Sequence, residues 1–178
     1  MSSSHASIDH EQSDTGHNDT ASIDDILPIG HIVLGHSTTS KKRLLEDLAG
    51  MFAGEGIDLN ARTIFSKLIE RENLGSTGIG AGVALPHGRI DGLSTTLAIF
   101  MSLTEPLDFD AADKQPVNLV FALLVPEHAT DVHLNLLAQL AGLFREPDLR
   151  AALTASSSAE EIHALLTGSS SKNTDDAS

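Results

Sequence analysis

The residues best suited to chemistry in this sequence stand close together. Residues 73–89 read Asn-Leu-Gly-Ser-Thr-Gly-Ile-Gly-Ala-Gly-Val-Ala-Leu-Pro-His-Gly-Arg. One imidazole, His87, sits between Pro86 and Gly88, and the glycines Gly75, Gly78, Gly80 and Gly82 lead up to it. A neutral imidazole is a fair nucleophile, and its ordinary pKa near 6.5 keeps it mostly neutral at pH 7. A phosphoryl group bound to it is labile and can be passed on, so the side chain suits covalent transfer. Such a transfer proceeds through a loose transition state that needs positioning and positive charge around the phosphoryl oxygens. Arg71, at the end of the preceding helical pattern, is a permanent cation able to grip two such oxygens at once. The glycine-rich backbone can turn N–H groups, including those of Gly78 and Gly80, toward an anion, and Ser76 and Thr77 add hydroxyl donors. Pro86 fixes its own φ and biases Leu85 toward an extended conformation, which makes a stiff mount for the imidazole.

Other chemistries do not fit. The glycine run lacks the spacing of a dinucleotide fingerprint, and a strand pattern rather than a helix follows it. There is no Gly-Lys-Ser/Thr for a nucleotide P-loop and no Gly-x-Ser-x-Gly for a hydrolase. The absence of Cys excludes thiolate catalysis, disulfides and Cys-based metal sites. No pair of histidines has helix-face ligand spacing with a carboxylate, so neither a metal nor another cofactor is expected. The 178 residues carry 11 Lys and Arg against 25 Asp and Glu, a formal net charge of −14. Such a chain repels nucleic acid and anionic membrane surfaces. No apolar run approaches the roughly 20 residues of a membrane span. The first residues have neither the basic nor the apolar region of a signal peptide, so a cytoplasmic location without membrane insertion is expected.

The charge is unevenly spread. Residues 1–25 hold six acids and no base, and residues 168–178 hold two acids against Lys172, so half of the net charge lies in two polar tails. Both tails are too poor in apolar residues to offset chain entropy and are expected to be disordered. The irregularly spaced His5, His10 and His17 read as solvated tail residues. One folded domain over 26–167 remains.

Within it, Ile32-Val33-Leu34 reads as an edge strand. Leu44, Leu45, Leu48, Ala49 and Phe52 line one face of a helix from about Ser40 to Ala53, stopped by Gly54 and Gly56. Asn60 is a good cap for a helix to about Arg71, with Ile64, Phe65, Leu68 and Ile69 on its face. Val83–Leu85 forms a short strand that delivers His87 at its end. Strands follow over 97–103 and 117–125, the second apolar on both faces and therefore central, with a Pro/Asp loop at 105–116 between them. Helices are expected over about 131–144, from Pro147 to about Leu153, and from the capping box Ser158–Glu161 to near Thr167. Strands interleaved with helices on a buried sheet make the class α/β.

The run Ile69–Arg89 resembles the active-site signature of the type-2 (mannitol/fructose) enzyme IIA domains of the bacterial phosphoenolpyruvate:sugar phosphotransferase system. Within that family it is most similar to the stand-alone nitrogen-regulatory class. The stretches Pro106–Pro126 and Thr130–Leu134 share the likeness, which covers about residues 24–167. The resemblance implies a mixed β-sheet sandwiched between α-helices, and phosphorylation of His87 on Nε2. The family arginine sixteen residues earlier falls on Arg71, and a second family histidine falls on His133. The implied donor is the phosphohistidine of a small HPr-like carrier, NPr in the nitrogen branch. The implied role is regulation of transporters, sensor kinases or enzymes by phosphorylation state, favoured here because the sequence carries no IIB or IIC segment. A sugar-specific IIA serving a separate IIB protein, and a pure binding module, are the alternatives.

Plainer readings stand beside these. Arg71 also suits a helix C-terminus as a cation on the dipole. His133 also suits a half-buried position near the start of its helix. Ser76 and Thr77 also suit local loop hydrogen bonding, and the glycines suit tight turns.

Overall fold

A computed structural model describes residues 22–54 and 58–171. Strand β5 (Leu97–Leu107) and strand β6 (Val117–Pro126) form an antiparallel pair at the centre of one mixed sheet. Strand β1 (Ile32–His36) lies parallel to β5 and forms one edge. On the other side of β6 run β3 (Val83–Ala84) and β4 (His87–Ile90), both parallel to it, and β2 (Gly78–Gly80) pairs antiparallel with β3. The mixed α/β sheet expected above is therefore present.

β6 is buried along almost its whole length because apolar layers cover both faces. Val83, Leu85, Phe100, Leu119, Phe121 and Leu123 point to one side, where they meet helices α4 (Thr130–Leu143), α5 (Pro147–Ala155) and α6 (Ala159–Ser171). Ala84, Ile90, Ile99, Met101, Val120 and Leu124 point to the other, against α2 (Lys41–Ala53) and α3 (Ala61–Asn73). The strand period of two assigns alternate residues to the two cores. The helices begin where the sequence places caps: the Ser40 hydroxyl accepts from the Arg43 N–H at 3.1 Å, and the Asn60 carbonyl oxygen accepts from the Thr63 N–H at 2.8 Å. Each such cap contributes about 1 kcal/mol. At α6 the Ser158 hydroxyl accepts from the Glu161 N–H, but the Glu161 carboxylate reaches back to the Ser157 N–H, one residue before the usual box partner.

Several boundaries differ from expectation. The domain does not begin at residue 26: helix α1 (Ile23–Ile26) precedes it, with Ile23 and Ile26 buried in the core. Two apolar residues one turn apart are enough to anchor it, and the Asp24 carboxylate lies 3.2 Å from His163 Nε2 of α6. The last helix runs past Thr167 and Gly168 to Ser171. The disorder expected for the rest of the tails, and the tail histidines, lie outside the described residues, as does Gly56. Strand β5 continues through Pro106 to Leu107, taking in the start of the expected loop, with a register shift between Ser102 and Leu107. A strand proline is tolerated at such an irregularity.

His87 does not follow the end of a strand; it lies on one. β3 and β4 flank β6 in a single register, Val83 opposite Leu119 and His87 opposite Leu123, interrupted only around Leu85 and Pro86. Pro86 lacks an N–H, yet its carbonyl accepts from the Leu123 N–H at 2.9 Å, so the two strands stay aligned.

The β2–β3 turn has positive φ at both central residues, Ala81 at 54° and Gly82 at 83°. That conformation suits Gly82 and strains Ala81, whose Cβ crowds the backbone there. Ala81 is exposed, and Asn tolerates this conformation better. Ala81→Asn is expected to stabilise the fold by about 0.5–1 kcal/mol, read as a higher Tm by circular dichroism. An unchanged or lower Tm would show that the turn is not strained.

Candidate active site

His87 projects from β4 toward the α4 side of the sheet and is 7 % exposed. Its Nδ1 lies 2.7 Å from the Leu85 carbonyl. A carbonyl only accepts, so Nδ1 carries the proton. On the other side of the ring the Arg71 Nε donates to Nε2 at 3.1 Å. A guanidinium only donates, so Nε2 presents a lone pair. The two contacts together select the neutral Nδ1–H tautomer. Burial lowers the pKa of His87 below its ordinary value, and the nearby Arg71 and Arg89 guanidiniums lower it further. The Leu85 carbonyl and the Glu72 carboxylate act in the opposite direction.

Arg71 reaches this position because α3 lies close to β4. A Cβ on Gly88 would stand 3.3 Å from Lys67 Cβ, one helical turn before Arg71, so the missing side chain admits the helix. The Arg71 Nη1 is then tied to the Gly75 carbonyl at 2.9 Å.

His133 comes from the first turns of α4 and is 5 % exposed. Its ring meets His87 edge-on, with centroids 5.1 Å apart and planes at 64°. The Arg89 Nε donates to its Nδ1 at 3.4 Å, which leaves the proton on Nε2. That buried Nε2 has no hydrogen-bond partner among the described residues. Burial above all, helped by His87 and the two guanidiniums, pushes the His133 pKa down to about 4.

These side chains open onto a cleft of about 490 Å³. Lys67, Arg71 and Arg89 bring three cations to it and Glu70 and Glu127 two acids, with Leu74, Leu134 and Leu137 on its walls. A small anion would enter a local field unlike that of the acidic exterior.

The structure thus brings His87, Arg71 and His133 together. It does not bring Ser76, Thr77, Gly78 and Gly80 to the cleft, which corrects the expectation of a phosphoryl-binding glycine loop. Ser76 Oγ donates to the Phe109 carbonyl at 2.6 Å and accepts from the Gly78 N–H. The Thr77 hydroxyl and N–H both donate to Glu72. At Gly78 a Cβ would meet Ala111 Cβ at 2.9 Å, and at Gly80 it would meet Asp113 Oδ2 at 3.1 Å. Ser76, Gly78 and Gly80 face the 108–115 loop and Thr77 faces Glu72, the plainer reading of these residues as local hydrogen-bonding and turn positions.

Two residues were not singled out from the sequence as site residues. Arg89 was legible only as a cation near His87, because its partner His133 lies 44 positions away. Glu72 had a signal: with Ile64 and Leu68 it forms an i, i+4 series on the buried face of α3. An acid on an apolar face must have partners, because burying a lone charge is costly.

Residues 25–169 match the family described as phosphoenolpyruvate-dependent sugar phosphotransferase system, EIIA 2. A nitrogen regulatory protein of Pseudomonas aeruginosa is 42 % identical over 144 residues, covering 81 % of this chain and 94 % of that protein. A fructose-specific EIIA component of the phosphotransferase system of Haloferax volcanii is 30 % identical over 148 residues, covering 83 % and 96 %. The crystal structure of nitrogen regulatory protein IIA-Ntr from Neisseria meningitidis superposes with a TM-score of 0.77 at 48 % identity, covering 80 % of this chain and 97 % of that one. IIA mannitol from Escherichia coli, at 22 % identity and a TM-score of 0.66 over 79 % of this chain and 98 % of that one, shares the fold.

Both histidines have folded-state pKa values below the unfolded value near 6.5. The unfolded chain therefore takes up protons first as pH falls, and stability declines from about pH 6.5 toward 4. The urea midpoint of the wild type is expected to drop between pH 7.5 and pH 5, and the drop to shrink in His133→Gln. An equal drop in both proteins would show that His133 is not held neutral by the fold.

Proposed function

The chain belongs to the EIIA 2 family of the phosphoenolpyruvate-dependent sugar phosphotransferase system, and from that membership we propose that it takes a phosphoryl group on His87 Nε2 and regulates partner proteins by its phosphorylation state. The observation that carries this reading is the unprotonated Nε2, fixed by the proton on Nδ1 and met by the Arg71 guanidinium at the edge of the cleft.

The donor would be the phosphohistidine of a small HPr-like carrier of the NPr type. In the transfer the Nε2 lone pair forms an N–P bond while the N–P bond to the carrier breaks, its electron pair returning to the carrier's ring nitrogen. No proton moves: Nδ1–H stays on the Leu85 carbonyl and stabilises the positive charge that the substituted ring acquires. Arg71 lets go of Nε2 and turns its N–H groups to the phosphoryl oxygens, a short shift for a side chain already 3.1 Å away. The unpartnered His133 Nε2–H is a neutral donor for the same oxygens, and Arg89 keeps that tautomer. A buried donor without an acceptor calls for an explanation, and a phosphoryl oxygen supplies one.

Leu74 and Leu134, 83 % and 56 % exposed, flank the cleft. They offer apolar contact for a protein partner, and the phosphoryl group would change the charge beside that contact by about −1.5 to −2. This suits the carrier and, in turn, regulated transporters or sensor kinases reached in the cytoplasm. Two nitrogen regulatory relatives are 42 % and 41 % identical to this chain, against 30 % for the fructose-specific one. That favours the regulatory role over delivery to a IIB protein. Among the described residues no helix is long and apolar enough to cross a membrane.

Incubation with the phosphocarrier, its kinase and phosphoenolpyruvate should give an acid-labile phosphoprotein, absent in His87→Ala. Undiminished labelling of that variant would overturn the assignment. Arg71→Lys loses the two-pronged grip and should slow transfer by about tenfold or more, with little change in Tm. Transfer at the wild-type rate would reduce Arg71 to a helix-end charge.

A further inference from the structure

The hydrogen bonding behind His87 does not stop at Leu85. The Leu85 N–H donates to the Thr77 carbonyl at 2.9 Å. The Thr77 N–H in turn donates to the Glu72 carboxylate at 3.1 and 3.3 Å, and its hydroxyl does so at 2.6 Å. Glu72 is buried, and its charge is met by Lys41 at 3.1 Å, which also pairs with Asp110 at 2.8 Å. The same residue serves the other side of the imidazole. The Gly75 N–H donates to the Glu72 main-chain carbonyl at 3.2 Å, and the Gly75 carbonyl accepts from Arg71 Nη1. Neither Glu72, Thr77 nor Lys41 lines the cleft.

A buried carboxylate that lost these donors would be strongly unfavourable, so the arrangement is held as a unit. It joins the start of α2, the end of α3, the loop after it and the junction between β3 and β4. It ends at both atoms that set the protonation pattern of His87: the carbonyl that takes the Nδ1 proton and the guanidinium that faces Nε2.

Resting on the reading of His87 as the acceptor, we infer that Glu72 and Thr77 are positioning residues for the phosphoryl transfer. Glu72 fixes Thr77, Thr77 fixes Leu85, and Leu85 holds the imidazole in the tautomer that leaves Nε2 bare. The charged and titratable groups that act on the His87 ring are Arg71 and Glu72 from α3, Arg89 from β4 and His133 from α4, and Glu70 and Glu127 line the same cleft. Among the carboxylates of the described residues, Glu72 is the one that raises the His87 pKa.

The test compares full-length wild type with Thr77→Val, Thr77→Ser and Glu72→Gln. Transfer from the phosphorylated carrier gives kcat and KM, and ¹⁵N NMR of the unphosphorylated protein reports the His87 tautomer. Thr77→Val and Glu72→Gln are expected to lower kcat about tenfold, with KM for the carrier unchanged within about twofold. Thr77→Ser, which keeps the hydroxyl, is expected to behave as wild type. In the two impaired variants the ring nitrogens are expected to move away from the pure Nδ1–H pattern. In Glu72→Gln the acidic limb of the rate–pH profile is expected to shift to lower pH. Wild-type kcat and an unmoved ring pattern in both variants would overturn the inference, and if Glu72→Gln does not fold, the Thr77 pair decides alone. A wild type that accepts no phosphoryl group contradicts the acceptor reading instead; the ring resonances then decide the relay, moved in its favour and unmoved against it.

Discussion

The pair of hydrogen bonds on the His87 ring is the constraint around which the rest of the site is arranged. One neighbour can only accept and the other can only donate, so the imidazole has a single way to satisfy both. Each neighbour is itself fixed by backbone. The Leu85 carbonyl belongs to the junction between β3 and β4, which the ladder to β6 holds in register. Arg71 belongs to a helix that the bare backbone of Gly88 allows to approach the sheet. The sheet and α3 thus act as two jaws whose relative position sets the state of one nitrogen.

That arrangement keeps several ionisable groups out of water. His87 and His133 are buried as neutral rings beside two guanidiniums, and burial, assisted by those cations, lowers the affinity of both for protons. Glu72 is buried as an acid with Lys41 and Thr77 as its donors. Burying polar groups is tolerable only when they are hydrogen-bonded, and among the described residues the buried His133 Nε2, beside His87, lacks a partner. The net charge of −14 says little about this cleft, whose lining sets three cations against two acids. A family of phosphotransferase components with nitrogen regulatory relatives is consistent with a site of this character.

Much of this was legible in the residues. The apolar faces of α2 and α3, their Ser40 and Asn60 caps and the doubly buried β6 follow from periodicity and local hydrogen bonding. Pro86-His87-Gly88 with Arg71 stood out because each residue type narrows what the backbone can do. What stayed hidden depends on partners far along the chain. Ser76 and Thr77 have the same composition whether they face a ligand or the fold, and only the nearness of Phe109 and Glu72 decides it. Ile23 and Ile26 were masked by the acidic residues around them. Strand β4 was missed because a proline normally ends a strand, and here the strand resumes in register on its far side.

The central claim is that Nε2 of His87 is the reacting atom. With ¹⁵N-labelled histidine, the phosphorylated protein can be examined for one-bond coupling between phosphorus and a ring nitrogen. The account predicts that coupling at Nε2 of His87, with Nδ1 still protonated. Coupling at Nδ1 of His87, or at a nitrogen of His133, would contradict it.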